Sequence, residues 1–145
     1  MGKLAGSCLC GNVTYTCDAD PIASANCHCR DCQKASGAPF TTNVIVPEDS
    51  VEITGETLSV FQTTGDGHGK HAHRRFCSNC GSQLVVTSEG YPGFAFIKSG
   101  TLTDTSLVRP GLDIWADSKQ PWTDHGERVV AARDPSPEVV AQLAG

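Results

Sequence analysis

The chain contains no run of apolar residues approaching the roughly 18 that a helix needs to cross a bilayer. Its opening stretch, MGKLAGSCLCG, carries no apolar core of the kind a secretion signal requires. Basic residues number 11 against 16 acidic ones, a formal net charge of −5, and they form no stripe interleaved with aromatics. Nucleic acid and membrane are therefore not expected partners. Aromatics make up only 6% of the chain, while glycine reaches 15 and proline 8. That balance favours short strands and many turns over a helical bundle. The 145 residues suit one domain spanning 1–145, and these absences together place it in the cytoplasm.

Cysteine, by contrast, is abundant, at eight residues. Disulfides are rare in a reducing compartment, so thiols in this number read as metal ligands or reactive groups. Cys77 and Cys80 stand in FCSNCGSQ, a Cys-x-x-Cys turn followed by Gly81. Two thiolates at this spacing share one metal, and the glycine supplies the positive φ that closes the knuckle. Cys8 and Cys10 in SCLCGN are followed in the same way by Gly11. The two pairs together make a closed four-sulfur centre, which has no open position and is structural. Cys17 lies on the apolar side of an alternating strand and reads as a small core residue.

Cys27, Cys29 and Cys32 remain, in ANCHCRDCQKASGAPF. Three ligands on one compact turn with an exchangeable fourth position is the pattern of a catalytic zinc. The competing arrangement is a second structural zinc completed by Cys17 or a histidine. His28 sits between two proposed ligands and is expected to point away from the ion they share. His68, His71 and His73 fall in the glycine-rich stretch GDGHGKHAHRRFC, read as an exposed loop. His125 has no ligand-like neighbour in sequence.

Hydrophobic patterning predicts strands near 12–17, 40–46, 51–54, 57–63, 74–77, 82–87, 94–98 and 107–115. VPEDSVEITGE reads as a hairpin, and RDCQKASGA as one short helical turn stopped by Gly37 and Pro39. DPSPEVVAQLAG predicts a short C-terminal helix, with Ser136 as N-cap, Pro137 in the first position and Glu138 favouring the dipole. Lys34 and Ser36 either line a pocket or cap the turn, and Phe40 is a core residue. Trp115 and Trp122 either wall the site or fill space between sheets. Arg74 and Arg75 read as solvated charges, with the alternative that one meets a substrate carboxylate.

CLCGNVTY, CHCRDCQKASGAPF, RRFCSNCGSQL and DIWADSKQPW, in that order, resemble the glutathione-dependent formaldehyde-activating family, which also contains centromere protein V. The resemblance runs over residues 5–125. It implies a mainly β, single-domain zinc fold of the β-tent type, related to that of a small Rab-binding exchange factor. It implies two Zn²⁺ per chain, a structural one on Cys8, Cys10, Cys77 and Cys80 and a catalytic one on Cys27, Cys29 and Cys32. The activity implied is that of a carbon–sulfur lyase, joining a thiol such as glutathione to formaldehyde or another small aldehyde as S-(hydroxymethyl)glutathione synthase does. The alternatives are a non-catalytic zinc scaffold and a thiol-carrier or interaction domain.

Overall fold

The computed structural model describes residues 3–64 and 69–133. It is mainly β, as expected. The strands are β1 (Leu4–Ser7), β2 (Val13–Cys17), β3 (Ala23–Cys27), β4 (Thr41–Pro47), β5 (Val51–Gly55), β6 (Leu58–Thr64), β7 (His71–Cys77), β8 (Gln83–Ser88), β9 (Phe94–Lys98), β10 (Leu112–Ile114) and β11 (Val129–Val130). The single α-helix among the described residues, α1 (Arg30–Ser36), follows β3. Strands β1, β2 and β5 form a small sheet. The others form a large one, ordered β11-β10-β3-β4-β9-β8-β7-β6. Pairing is antiparallel throughout, except that β10 runs parallel to both β3 and β11.

The two faces of the large sheet have different tasks. Val85, Ile97 and Val44 align across β8, β9 and β4. They pack with Leu4, Val13, Tyr15 and Cys17 of the small sheet in one core. Each fully buried valine or isoleucine contributes about 1.5–3 kcal/mol, so a one-residue slip in register, which would turn this row outward, is strongly disfavoured. Fixing that face fixes the other. Arg74, Val86 and Phe96 align across β7, β8 and β9 on the opposite side, and Lys98 stands opposite Asn43 of β4. This second face carries a cavity.

Most expected strands are present, with four differences. The strand expected at 74–77 starts earlier, so His71 and His73 lie half-buried on β7 and not in an exposed loop. The expected hairpin at VPEDSVEITGE is not one: β4 and β5 belong to different sheets, joined by a 3-10 turn over Glu48–Ser50. Strand β4 buries four consecutive residues, Asn43 to Val46, because both its faces are covered, whereas β5 alternates between half-buried and exposed. Alternation shows which face a residue takes but not which layer its strand joins. The expected strand at 107–115 narrows to Leu112–Ile114, since a 3-10 turn at Thr105–Leu107 and then Pro110 precede it. Strands β1, β3 and β11 carried no usable pattern; β3 reads ASANC, mostly small residues. The expected C-terminal helix lies outside the described residues, as does His68.

Candidate metal centres

Two β-turns bring the first cluster together. The loop after β1 carries Cys8 and Cys10, and the turn after β7 carries Cys77 and Cys80. In each, the glycine after the second cysteine has positive φ, 83° at Gly11 and 81° at Gly81. Each glycine N–H also donates back to the carbonyl of the first cysteine, 3.2 Å to Cys8 and 2.8 Å to Cys77. The four sulfurs lie within 4.8 Å of one another. Cys8 to Cys10 is 3.6 Å and Cys10 to Cys77 is 3.7 Å. A disulfide requires about 2 Å. A zinc tetrahedron with sulfurs about 2.3 Å from the metal has edges of about 3.8 Å. The donor set therefore fits a tetrahedral thiophilic ion. The surroundings favour the thiolate at the second pair: the Ser82 hydroxyl, foremost, and backbone N–H groups bring Cys80 down to about 5, and the Thr57 hydroxyl lowers Cys77, whereas the Cys10 thiol is raised.

The second cluster spans the end of β3 and the start of α1. Cys27, Cys29 and Cys32 offer three sulfurs within 4.8 Å, with Cys27 and Cys32 3.5 Å apart. Cys29 is also the N-cap of α1, its sulfur accepting the Cys32 N–H at 3.2 Å. The fit is again that of a tetrahedron, with three protein corners. Neither Cys17 nor any described histidine supplies a fourth. Cys17 bonds Ser50 in the core between the sheets. His28 turns to the far side of β3, as expected.

The three cysteines line a cavity of about 370 Å³ together with Arg74, Val86, Phe96 and Lys98, Ile114 at the end of β10 and Trp115 just after it. Arg74 and Lys98 are each only 8% exposed. Arg74 donates from Nε to Thr63 at 3.1 Å and sets Nη1 3.9 Å from Cys32 Sγ. Lys98 Nζ donates to Asn43 Oδ1 at 2.9 Å and Thr41 Oγ1 at 3.3 Å. Burial lowers the Lys98 pKa against the pull of the nearby sulfurs. Cys32 is held well below the usual thiol range, first by its hydrogen bonding with Cys27 and Cys29, then by the charges of Lys98 and Arg74, against its burial, whereas Cys27 is pushed well above that range, first by its hydrogen bonding with Cys29 and Cys32. Trp115 is the one non-glycine residue with positive φ among the described residues, at 56°. Such a backbone costs about 1–3 kcal/mol. It is held by N–H bonds from Trp115, Ala116 and Asp117 to carbonyls of 131–133, and Arg133 stacks 5.0 Å from the indole centroid.

Behind this wall lies a polar hub. Fully buried Asp113 of β10 accepts from His28 Nε2 at 2.9 Å, His125 Nδ1 at 2.9 Å and Arg128 Nε at 2.7 Å. It thereby ties the segment after Trp122 to the residue between two cluster cysteines. Burial alone would raise the Asp113 pKa; the three donors outweigh it and hold the carboxyl below its ordinary range. A depressed acid contributes stability above its unfolded-state pKa and loses it as pH falls through its native value. Asp113→Asn keeps one acceptor oxygen for three donors and leaves Arg128 without its counter-charge. We expect it to cost about 3 kcal/mol in urea unfolding at pH 7. The gap to wild type should shrink as pH falls below the native Asp113 pKa. A loss under about 1 kcal/mol at pH 7 would remove this role.

Several expected residues take other places. Arg74 is buried at the cavity rather than solvated, and Arg75 is half-buried, donating to Thr87. His125 does have a partner, Asp113. Lys34 is exposed on α1, and Ser36 caps it, donating to the Cys32 carbonyl at 2.8 Å. Phe40 is half-buried against His28. Trp115 walls the cavity, while Trp122 is 71% exposed. Lys98 was not foreseen, although the row Phe94, Phe96, Lys98 in FAFIK marks a cation ending an otherwise apolar face.

The two clusters mark a mainly β protein with two cysteine sets that could each hold a thiophilic metal ion, one of four sulfurs and one of three lining a cavity. Residues 3–118 match the family model described as glutathione-dependent formaldehyde-activating enzyme, and the chain belongs to that family. A Halomonas elongata protein named for the same activity is 29% identical over 126 residues, covering 83% of this chain and 80% of its own length. A Phaeosphaeria nodorum protein with the same name is 28% identical over 101 residues; the match covers 66% of this chain and half of that longer protein. The crystal structure of a Rhodobacter sphaeroides protein superposes with a TM-score of 0.56 at 19% identity, over 73% of this chain and 91% of that one, and so shares its fold.

Proposed function

We propose that the chain is a zinc-dependent carbon–sulfur lyase that joins a thiol, glutathione in the first instance, to formaldehyde or another small aldehyde. The observation that carries this reading is the contrast between the clusters: four sulfurs close the first, while the second presents three to a cavity. In this reading Cys8, Cys10, Cys77 and Cys80 hold a structural zinc, and Cys27, Cys29 and Cys32 a catalytic one. Zinc in the second centre supplies Lewis acidity and favours the thiolate form of a thiol, the nucleophile of the reaction.

The chain's own residues do the rest. The trio fixes where the thiol sulfur stands. Ile114, Trp115 and Phe96 wall the cavity and keep water from the reacting carbon. Arg74 and Lys98 set positive charge beside the sulfur and beside the oxygen that gains charge when the thiolate adds to the carbonyl. Holding thiol and aldehyde in one cavity makes a bimolecular step local. Eight unpaired cysteines suit a reducing compartment, and we assign the protein to the cytoplasm. No described helix is long and apolar enough to cross a membrane.

Because thiols add to formaldehyde unaided, the test is a rate at equilibrium. Exchange between free and hydroxymethylated glutathione, followed by magnetisation transfer, is expected to accelerate in proportion to zinc-loaded protein. A rate equal to the buffer background at every protein concentration would contradict the assignment.

A further inference from the structure

The two cysteine clusters form a comparison within one chain. Around the closed cluster, the partners of the sulfurs are neutral: the Thr57 and Ser82 hydroxyls, the Asn79 side-chain amide and the backbone amides of Val13 and Cys80. No lysine or arginine side chain hydrogen-bonds it among the described residues, and Cys10 is exposed, so solvent carries its charge. Around the three-sulfur cluster stand two cations, Arg74 and Lys98, both more than nine-tenths buried. Neither makes an ion pair with a carboxylate among the described residues. The same cavity is lined by Asp31, half-buried and acting on Arg74, and by Arg30 and Lys70, both exposed so that solvent screens their charges.

Buried charges need counter-charges. Three thiolates and a divalent ion leave one negative charge, and the two cations leave one positive charge beyond it. A neutral fourth ligand preserves that surplus in a dry site, whereas a monoanion removes it. We propose that Arg74 and Lys98 make the open corner of the Cys27–Cys29–Cys32 centre selective for an anion, so that a thiol enters as thiolate, its proton leaving to solvent, in preference to any neutral ligand. The inference rests on the open-centre reading above and names what that centre selects and which residues select it.

Cobalt(II) in place of the native ion gives visible bands that report the fourth ligand. 2-Mercaptoethanol, which has no carboxylate, probes the anionic ligand, and imidazole a neutral one. Removing one of two buried positive charges beside the centre disfavours an anionic fourth ligand, so Lys98→Met and Arg74→Met should each weaken 2-mercaptoethanol binding about tenfold or more. Imidazole affinity should hold or rise, and Lys98→Arg should restore most of the preference for thiol. Each methionine also strips a donor, from Thr63 in Arg74→Met and from Asn43 and Thr41 in Lys98→Met, so both variants should show a lower urea midpoint than wild type, and the ratio of the two affinities carries the comparison. If one variant is too unstable to load, the other carries the same comparison. An unchanged ratio of the two affinities overturns the proposal while leaving the open centre standing. A wild-type spectrum that answers neither probe overturns the open centre, and the proposal with it.

Discussion

Replacing Cys80 with serine is expected to leave a chain without a cooperative unfolding transition, even with zinc in excess. The closed cluster joins the loop after β1 in the small sheet to the turn after β7 in the large one, positions 67 residues apart between Cys10 and Cys77. The sheets are otherwise joined by their shared apolar core, by the isolated bridge of Gly6 with Leu102 and by the Leu9 N–H donating to Ser82 Oγ at 3.0 Å. Structural zinc contributes about 10–16 kcal/mol in small metal-folded peptides, as much as or more than the roughly 5–15 kcal/mol by which a domain is stable. A serine hydroxyl does not replace a thiolate whose pKa the fold brings to about 5. Cys8 and Cys77, 4% and 0% exposed, would be left buried around an incomplete site. Thermal melts followed by circular dichroism are the check. A sharp transition within a few degrees of wild type would show that the cluster does not clasp the sheets.

Cys29→Ser should have the opposite profile: activity lost, fold kept. Cys29 is the half-buried member of its cluster and caps α1 by accepting the Cys32 N–H. Serine is among the best N-cap residues, so the helix start survives the exchange. The metal corner does not. Loss of even an outer partner of a metal ligand can cost about 10–100-fold, and loss of a ligand itself should exceed that, bringing glutathione–formaldehyde exchange to background. The urea unfolding free energy should fall by no more than about 1–2 kcal/mol. Exchange at the wild-type rate would move the chemistry away from this centre. A chain that unfolds as completely as Cys80→Ser would make the centre structural.

Both clusters were legible in the sequence because their geometry is local. Cys-x-Cys-Gly and Cys-x-x-Cys-Gly each place two sulfurs within a single turn, and Cys27 to Cys32 spans one turn into a helix. What surrounds them was not legible, because it depends on pairing between distant strands. Arg74 and Lys98 meet only because β7 and β9 flank β8 with Arg74, Val86 and Phe96 in one row. Read along β7 alone, an arginine after His71 and His73 reads as solvated. Asp113 and His28 are 85 residues apart and meet through a parallel pairing of β10 with β3, for which neither short strand gives a signal. The hairpin at residues 46–56 failed for a related reason: the turn chemistry is real, but it moves the chain between layers instead of folding it back on its neighbour.

If four sulfurs close one centre and the other accepts a thiol, elemental analysis with zinc-edge X-ray absorption, with and without glutathione, should find two zincs per chain, with a mean sulfur coordination of about 3.5 that rises to about 4 when the thiol is added. One zinc per chain, or two whose sulfur count does not respond to glutathione, would contradict it.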